Sequence, residues 1–136
     1  MKKLLILLAL LSILVQADEI TQLGQLSNVY HNYKQALSIA KEGNKKIFIL
    51  FEKDGCGWCR KLKKTTLQDD NLAEILNSEF VVVFLNKNRD KFPRQYDAKR
   101  VPVVYMANSK EKVFVKKLGY TSNPREYIRL SKYVTQ

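Results

Sequence analysis

Cysteine is scarce in this chain of 136 residues. There are two, both in one short motif, and the single histidine lies 25 residues upstream of the first. So few thiols exclude a small scaffold stapled by several disulfides and a four-cysteine zinc site. Proline and glycine are also sparse, at 3 and 5 residues, with no Pro/Gly/Ser-rich stretch to divide the chain. No repeat or low-complexity tract is visible. No apolar run reaches the ~20 residues needed to span a bilayer. Acidic residues are short of basic ones, 13 against 24, which leaves a formal net charge of +11. A hydrophobic fraction of 46% excludes a disordered chain, and the length suits one domain.

The longest apolar run, Leu4 to Val15, is interrupted only by Ser12. Met1-Lys2-Lys3 precedes it, and Val15-Gln16-Ala17 leads into Asp18-Glu19. A basic start, a greasy middle and a small-x-small exit form the order of a secretory signal. Residues 1–17 are therefore expected to be a signal peptide cleaved after Ala17, and residues 18–136 the working domain. Retention as an anchor is the alternative. Removing the segment takes two lysines and leaves a net charge of +9. An exported protein rarely meets chromosomal DNA, and no aromatic–basic stripe suggests single-strand binding. Nucleic acid is not an expected partner. The charge suits solubility or attraction to acidic partners.

Residues 28–42 are expected to be helical, because Tyr30, Tyr33, Leu37 and Ala40 form one stripe, with Ser27 or Asn28 as the cap. His31 then falls on the surface of that helix. Ile47–Phe51 and Phe80–Leu85 are continuous runs of β-formers, suited to strands buried on both faces. A helix should start near Cys56, and another after Asp69. Residues 87–100 read as a loop with a short helix near Tyr96. Val103–Met106 and Lys112–Lys117 form a closing strand pair, and a last helix starts at Pro124. The result is an α/β fold: a small mixed sheet with a C-terminal antiparallel hairpin and helices on both faces. Tyr30, Tyr33, Tyr120, Tyr127 and Tyr133 read as core and helix faces rather than a binding stripe.

Cys56-Gly57-Trp58-Cys59 carries the main chemical signal. It sits where a buried strand ends and a helix begins. Unpaired N–H groups and the positive end of the helix dipole stabilise a thiolate there, pulling its pKa below the ~8.5 of a free thiol. Cys56 is the expected exposed nucleophile and Cys59 the more buried resolving thiol. A zinc half-site would need ligands the chain lacks. A structural disulfide spanning two residues would restrain the unfolded chain little. No metal and no cofactor beyond a redox-active Cys56–Cys59 disulfide is expected. Trp58 reads equally well as a flat surface for a partner chain and as packing over the helix start. Val101-Pro102-Val103 is a second signal: a proline opening a strand, trans on the plain reading, and able to adopt the cis form.

Taken in order, these features resemble the thioredoxin family: IFILF, Cys56-Gly-Trp-Cys59 opening a helix, FVVVFL, Val101-Pro102, the hairpin with Gly119, and a last helix. The resemblance spans about residues 28–134. The stretch Phe51-Glu-Lys-Asp-Gly-Cys-Gly-Trp-Cys-Arg-Lys-Leu is most similar to exported thioredoxin-like reductases of bacteria. It implies a thioredoxin fold and a cis Pro102 against the active-site sulfurs. It also implies that the Val101 backbone meets a substrate strand, and that Cys56 forms mixed disulfides with protein substrates. The implied function is a periplasmic thiol:disulfide oxidoreductase, run as a reductase on electrons from a membrane thiol reductase; a monomer is expected. A Cys-Pro-His-Cys oxidase motif is absent, and 119 residues leave no room for an isomerase's dimerisation domain. The alternatives are a disulfide-donating oxidase and a non-catalytic thioredoxin-fold module that binds an acidic partner. The chain departs from thioredoxin in having Trp58 for the inner proline, Gly55 for a tryptophan, and Leu50 for the buried aspartate. Glu52 is either a substitute base or an ordinary solvent-facing charge.

Overall fold

A computed structural model describes residues 21–136. The expected signal segment, 1–17, lies outside them. Strands β1 (Thr21–Leu23) and β2 (Leu26–Tyr30) come first, then helix α1 (Tyr33–Gly43) and strand β3 (Lys46–Glu52). Helix α2 (Gly57–Lys64), a 3-10 turn (Thr66–Gln68), helix α3 (Asp70–Glu79) and strand β4 (Phe80–Asn86) follow. Strands β5 (Val103–Ala107) and β6 (Val113–Leu118) and helix α4 (Pro124–Ser131) close the chain. The six strands lie in the order β1-β2-β4-β3-β5-β6. β3 runs parallel to β4 and antiparallel to β5, and β5–β6 is an antiparallel hairpin. The mixed α/β sheet and closing hairpin match the sequence expectation.

Side chains alternate across the pleat, so each central strand serves two cores. Phe48 and Leu50 of β3 face one core with Leu62, Leu72, Leu76 and Tyr127 from α2, α3 and α4. Ile47, Ile49 and Phe51 face the other with Tyr33, Ala36 and Ala40 of α1. Every residue of β4 is buried. That two-sided burial is why both strands are unbroken apolar runs in the sequence.

The start of the domain differs from the sequence expectation. Residues 28–30 belong to β2, which pairs parallel with β4, and the helix starts only at Tyr33. The cap is Asn32, whose side chain accepts from the Gln35 N–H at 3.0 Å, in place of Ser27 or Asn28. His31 is thus in the connection between strand and helix, half-buried, with its ring edge-on to Phe84 at 6.4 Å. The 3- and 4-residue spacings that begin at Tyr30 join a strand residue to a helix by coincidence. No short helix forms near Tyr96. That residue is held in a turn region by rings: Phe51 and Tyr105 lie 5.9 and 5.1 Å from it, and its hydroxyl is 3.2 Å from that of Tyr33. Burial pushes both phenols, Tyr33 and Tyr96, above their ordinary pKa. The expected cap Asp69 does start α3, accepting from the Leu72 N–H at 3.0 Å. Asn123 caps α4, with Pro124 in its first turn. Among the described residues no helix is long and apolar enough to cross a membrane.

Candidate active site

β3 ends at Glu52, and four residues, Lys53 to Cys56, turn the chain into α2. Gly55 takes φ +73° there, a left-handed conformation that costs a Cβ-bearing residue about 1 kcal/mol or more. Cys56 is the N-cap of α2. Its Sγ accepts from the Cys59 N–H at 3.2 Å, and its carbonyl accepts from the Arg60 N–H at 3.2 Å. The sulfur therefore fills the role that a serine or aspartate oxygen plays at an ordinary helix start. Cys56 and Cys59 are joined in a disulfide, with Cα atoms 5.3 Å apart. Cys56 is 9% exposed and Cys59 1%. Cys59 is the deeper of the two, as expected, but Cys56 is nearly buried rather than open to solvent. Among the described residues no group of three or more His, Cys, Asp or Glu side chains could hold a metal ion.

A groove of about 340 Å³ runs beside the helix start, lined by Trp58, Val101, Pro102, Gly119 and Tyr120. Three distant parts of the chain build it. Trp58 comes from the first turn of α2. Val101 and Pro102, joined by a cis peptide bond, precede β5, whose ladder begins at Val103. Gly119 and Tyr120 follow β6, and the Gly119 N–H donates to the Pro102 carbonyl at 2.8 Å. That bond fixes one wall to the other. Gly119 has φ +83° with nothing within 4 Å of an added Cβ, so its requirement is conformational rather than steric. Trp58 is 57% exposed and tilts over Tyr120, with ring centroids 5.1 Å apart. It is therefore not packed into the core. Tyr120 packs against the core, as expected, and also lines the groove, while Tyr133 is 60% exposed. Of the groove residues, Gly119 and Tyr120 are the two that sequence reasoning does not assign to the site. Their signal was the glycine break directly after the closing strand.

Glu52, at the end of β3, is partly buried rather than an ordinary solvent-facing charge. Its carboxylate pairs with Lys63 of α2 at 2.5 Å, each side chain less than a quarter exposed. The Lys63 ammonium also lies 5.7 Å from the centre of the Phe84 ring. Leu62, fully buried, is the apolar anchor of the same helix. On the outer side, Asp54 pairs with Arg89 at 2.6 Å, tying the turn before Cys56 to the loop after β4.

Residues 33–135 match the model of the thioredoxin-like domain family. An uncharacterized protein of Archaeoglobus fulgidus is 20% identical over 93 residues, which is 68% of this chain and 73% of that one. Among solved structures, the oxidoreductase DsbH aligns with a TM-score of 0.62 at 19% identity, covering 87% of this chain and 90% of its own. A thioredoxin from Thermus thermophilus gives the same TM-score and identity over 75% of this chain and 83% of its own. At such identities the structures speak to the fold, while the family match covers most of the chain. With a disulfide of CxxC spacing capping the helix after β3, the chain belongs to the thioredoxin-like domain family and is a thiol:disulfide oxidoreductase.

Proposed function

We propose that this protein is exported to a periplasm and there reduces disulfides of protein substrates through Cys56 and Cys59. The observation that carries the chemistry is the Cys56–Cys59 disulfide at the N-terminus of α2, with Cys56 Sγ already accepting the Cys59 N–H. The same N–H, with the helix dipole, favours a thiolate on Cys56 once the bond is reduced. The Cys56 thiolate attacks one sulfur of the substrate disulfide. A mixed disulfide forms, and the other substrate sulfur leaves as a thiolate and takes a proton. Cys59 then loses its proton and attacks Cys56 Sγ, which releases the second substrate sulfur. Two electrons and two protons pass from the dithiol to the substrate, and Cys56–Cys59 is left oxidised. A membrane-embedded dithiol reductase would restore it. Export is supported by the signal-like order of residues 1–17, and the reductive direction by the resemblance of the sequence around the CGWC motif to exported reductases. Trp58, Val101 and Pro102 would receive the substrate strand.

The reduction potential of the Cys56–Cys59 couple tests the direction. It is measured on residues 18–136 equilibrated in glutathione and dithiothreitol buffers. The expected value is near the ~−270 mV of thioredoxin. A value near the ~−120 mV of a strong periplasmic oxidant would make the protein a disulfide donor instead.

A further inference from the structure

The groove beside the disulfide has aromatic and apolar walls, and among the described residues the charged side chains near it that make no ion pair are basic. Lys61 is exposed and stands 5.2 Å from the ring centres of both Trp58 and Tyr120, at the edge of the groove. Arg60 is exposed and lies back over the motif, since a methyl on Gly57 would meet its guanidinium at 3.7 Å. Arg100, also exposed, is two residues before Pro102 in the sequence, next to the groove residue Val101. None of the three has a carboxylate within ion-pair distance among the described residues. The acids on this edge are already committed: Glu52 to Lys63 and Asp54 to Arg89. Among the described residues no acidic side chain lines the groove. Lys61 and Arg60 thus stand on the α2 side of the groove and Arg100 adjoins Val101 in the chain, while Glu52 and Asp54 are neutralised by Lys63 and Arg89. Such an arrangement focuses positive potential on the point of attack and raises the local concentration of anionic partners.

We infer that the groove is a docking site for an acidic, extended segment flanking the disulfide of a protein substrate, with Lys61, Arg60 and Arg100 as the selecting charges. This rests on the thiol-exchange function proposed above. An apolar residue of the segment lies against Trp58 and Tyr120, and its carboxylates face the cationic rim. The charges act on encounter and orientation and leave the exchange chemistry to the two cysteines.

The test uses the reduced protein, residues 18–136, and three disulfides. Two are synthetic peptides with the same disulfide loop, flanked by glutamates in one and by lysines in the other. The third is uncharged hydroxyethyl disulfide. Second-order rate constants are read by acid quenching, alkylation of free thiols and the mass of the protein, which separates its dithiol from its disulfide form. At low salt the glutamate peptide should react at least about tenfold faster than the lysine peptide, and the ratio should fall to about twofold or less in 0.5 M NaCl. The double variant Lys61→Glu/Arg100→Glu should bring the low-salt ratio to one or below. Equal rates for both peptides with wild-type protein, while hydroxyethyl disulfide is reduced, would overturn the docking inference and leave the exchange function intact. A ratio unaltered in the double variant would overturn the placement at this rim. Failure to reduce any of the three would refute the exchange function itself. Sedimentation with phosphatidylglycerol vesicles gives a separate arm. Binding that the double variant loses, with no preference between peptides, would assign the rim to a membrane surface and overturn the inference.

Discussion

The Glu52–Lys63 pair ties the helix that carries both cysteines to the end of the central strand, and its strength can be worked out from its setting. Unit charges about 3 Å apart attract by roughly 5 kcal/mol at an effective dielectric of ~20. Desolvation takes back most of this, because the side chains are only 23% and 22% exposed. The net coupling should be about 1.5 kcal/mol, above the 0.2–1 of exposed pairs and below the 3–5 lost on breaking a fully buried one. The two single variants should be unequal. In Lys63→Met the stranded carboxylate belongs to a short side chain on a fixed backbone, whose carbonyl accepts from the Lys87 N–H at 2.9 Å. That variant should lose about 2 kcal/mol. In Glu52→Gln the long lysine can swing its ammonium into water, and the loss should be about 1 kcal/mol. The double variant should then lose about 1.5 kcal/mol rather than the additive 3. Urea denaturation of the four oxidised proteins at pH 7 measures all of these values. A double variant within about 0.5 kcal/mol of the additive sum would refute the pair as a structural unit.

Two further outcomes follow from the packing and the electrostatics. Tyr127 is fully buried edge-on to Phe48, and its hydroxyl has no hydrogen-bond partner among the described residues. Burial pushes its pKa well above the ordinary value. Tyr127→Phe removes an unsatisfied polar group and should leave stability unchanged or raise it by up to about 1 kcal/mol. A loss above about 1 kcal/mol in thermal or urea unfolding would contradict that packing. Asp97 is held below its ordinary pKa first by the Lys99 N–H at 3.0 Å and then by Lys116 at 3.2 Å. A depressed carboxylate stabilises the fold above its unfolded-state pKa and loses that contribution as pH falls through its folded value. The stability gap between wild type and Asp97→Asn should therefore close on acidification from about pH 6 towards pH 2. A gap that stays constant would show that the carboxylate is not engaged.

The elements most legible in the sequence are those whose surroundings are uniform. β3 and β4 are buried on both faces, so Ile47–Phe51 and Phe80–Leu85 must be apolar throughout. The N-terminal hairpin was hidden because β2 buries only Leu26 and Val29, and Tyr30 happens to fall three residues before the helix residue Tyr33. Asn32, the residue that marks the boundary, looks like any other polar residue until its side chain is seen on the Gln35 N–H. At the site, Cys56 and Cys59 are legible because their spacing and position after a buried strand carry the chemistry locally. The groove is only half legible. Tyr120 meets Trp58 across 62 positions of sequence, brought there by the order of β3, β5 and β6. The Glu52–Lys63 pair is hidden for the same reason, since no local period links a strand end to the last turn of the next helix.

The central claim is that Cys56 attacks and Cys59 resolves. Reduced Cys59→Ser and Cys56→Ser variants of residues 18–136 are each mixed with a disulfide-bonded model protein, quenched with acid and resolved by non-reducing electrophoresis and mass. Cys59→Ser should accumulate a covalent adduct through Cys56 that dithiothreitol releases, and Cys56→Ser should form little or none, its one thiol being 1% exposed in the folded protein. No adduct with Cys59→Ser, or equal adducts with both variants, would contradict the assignment.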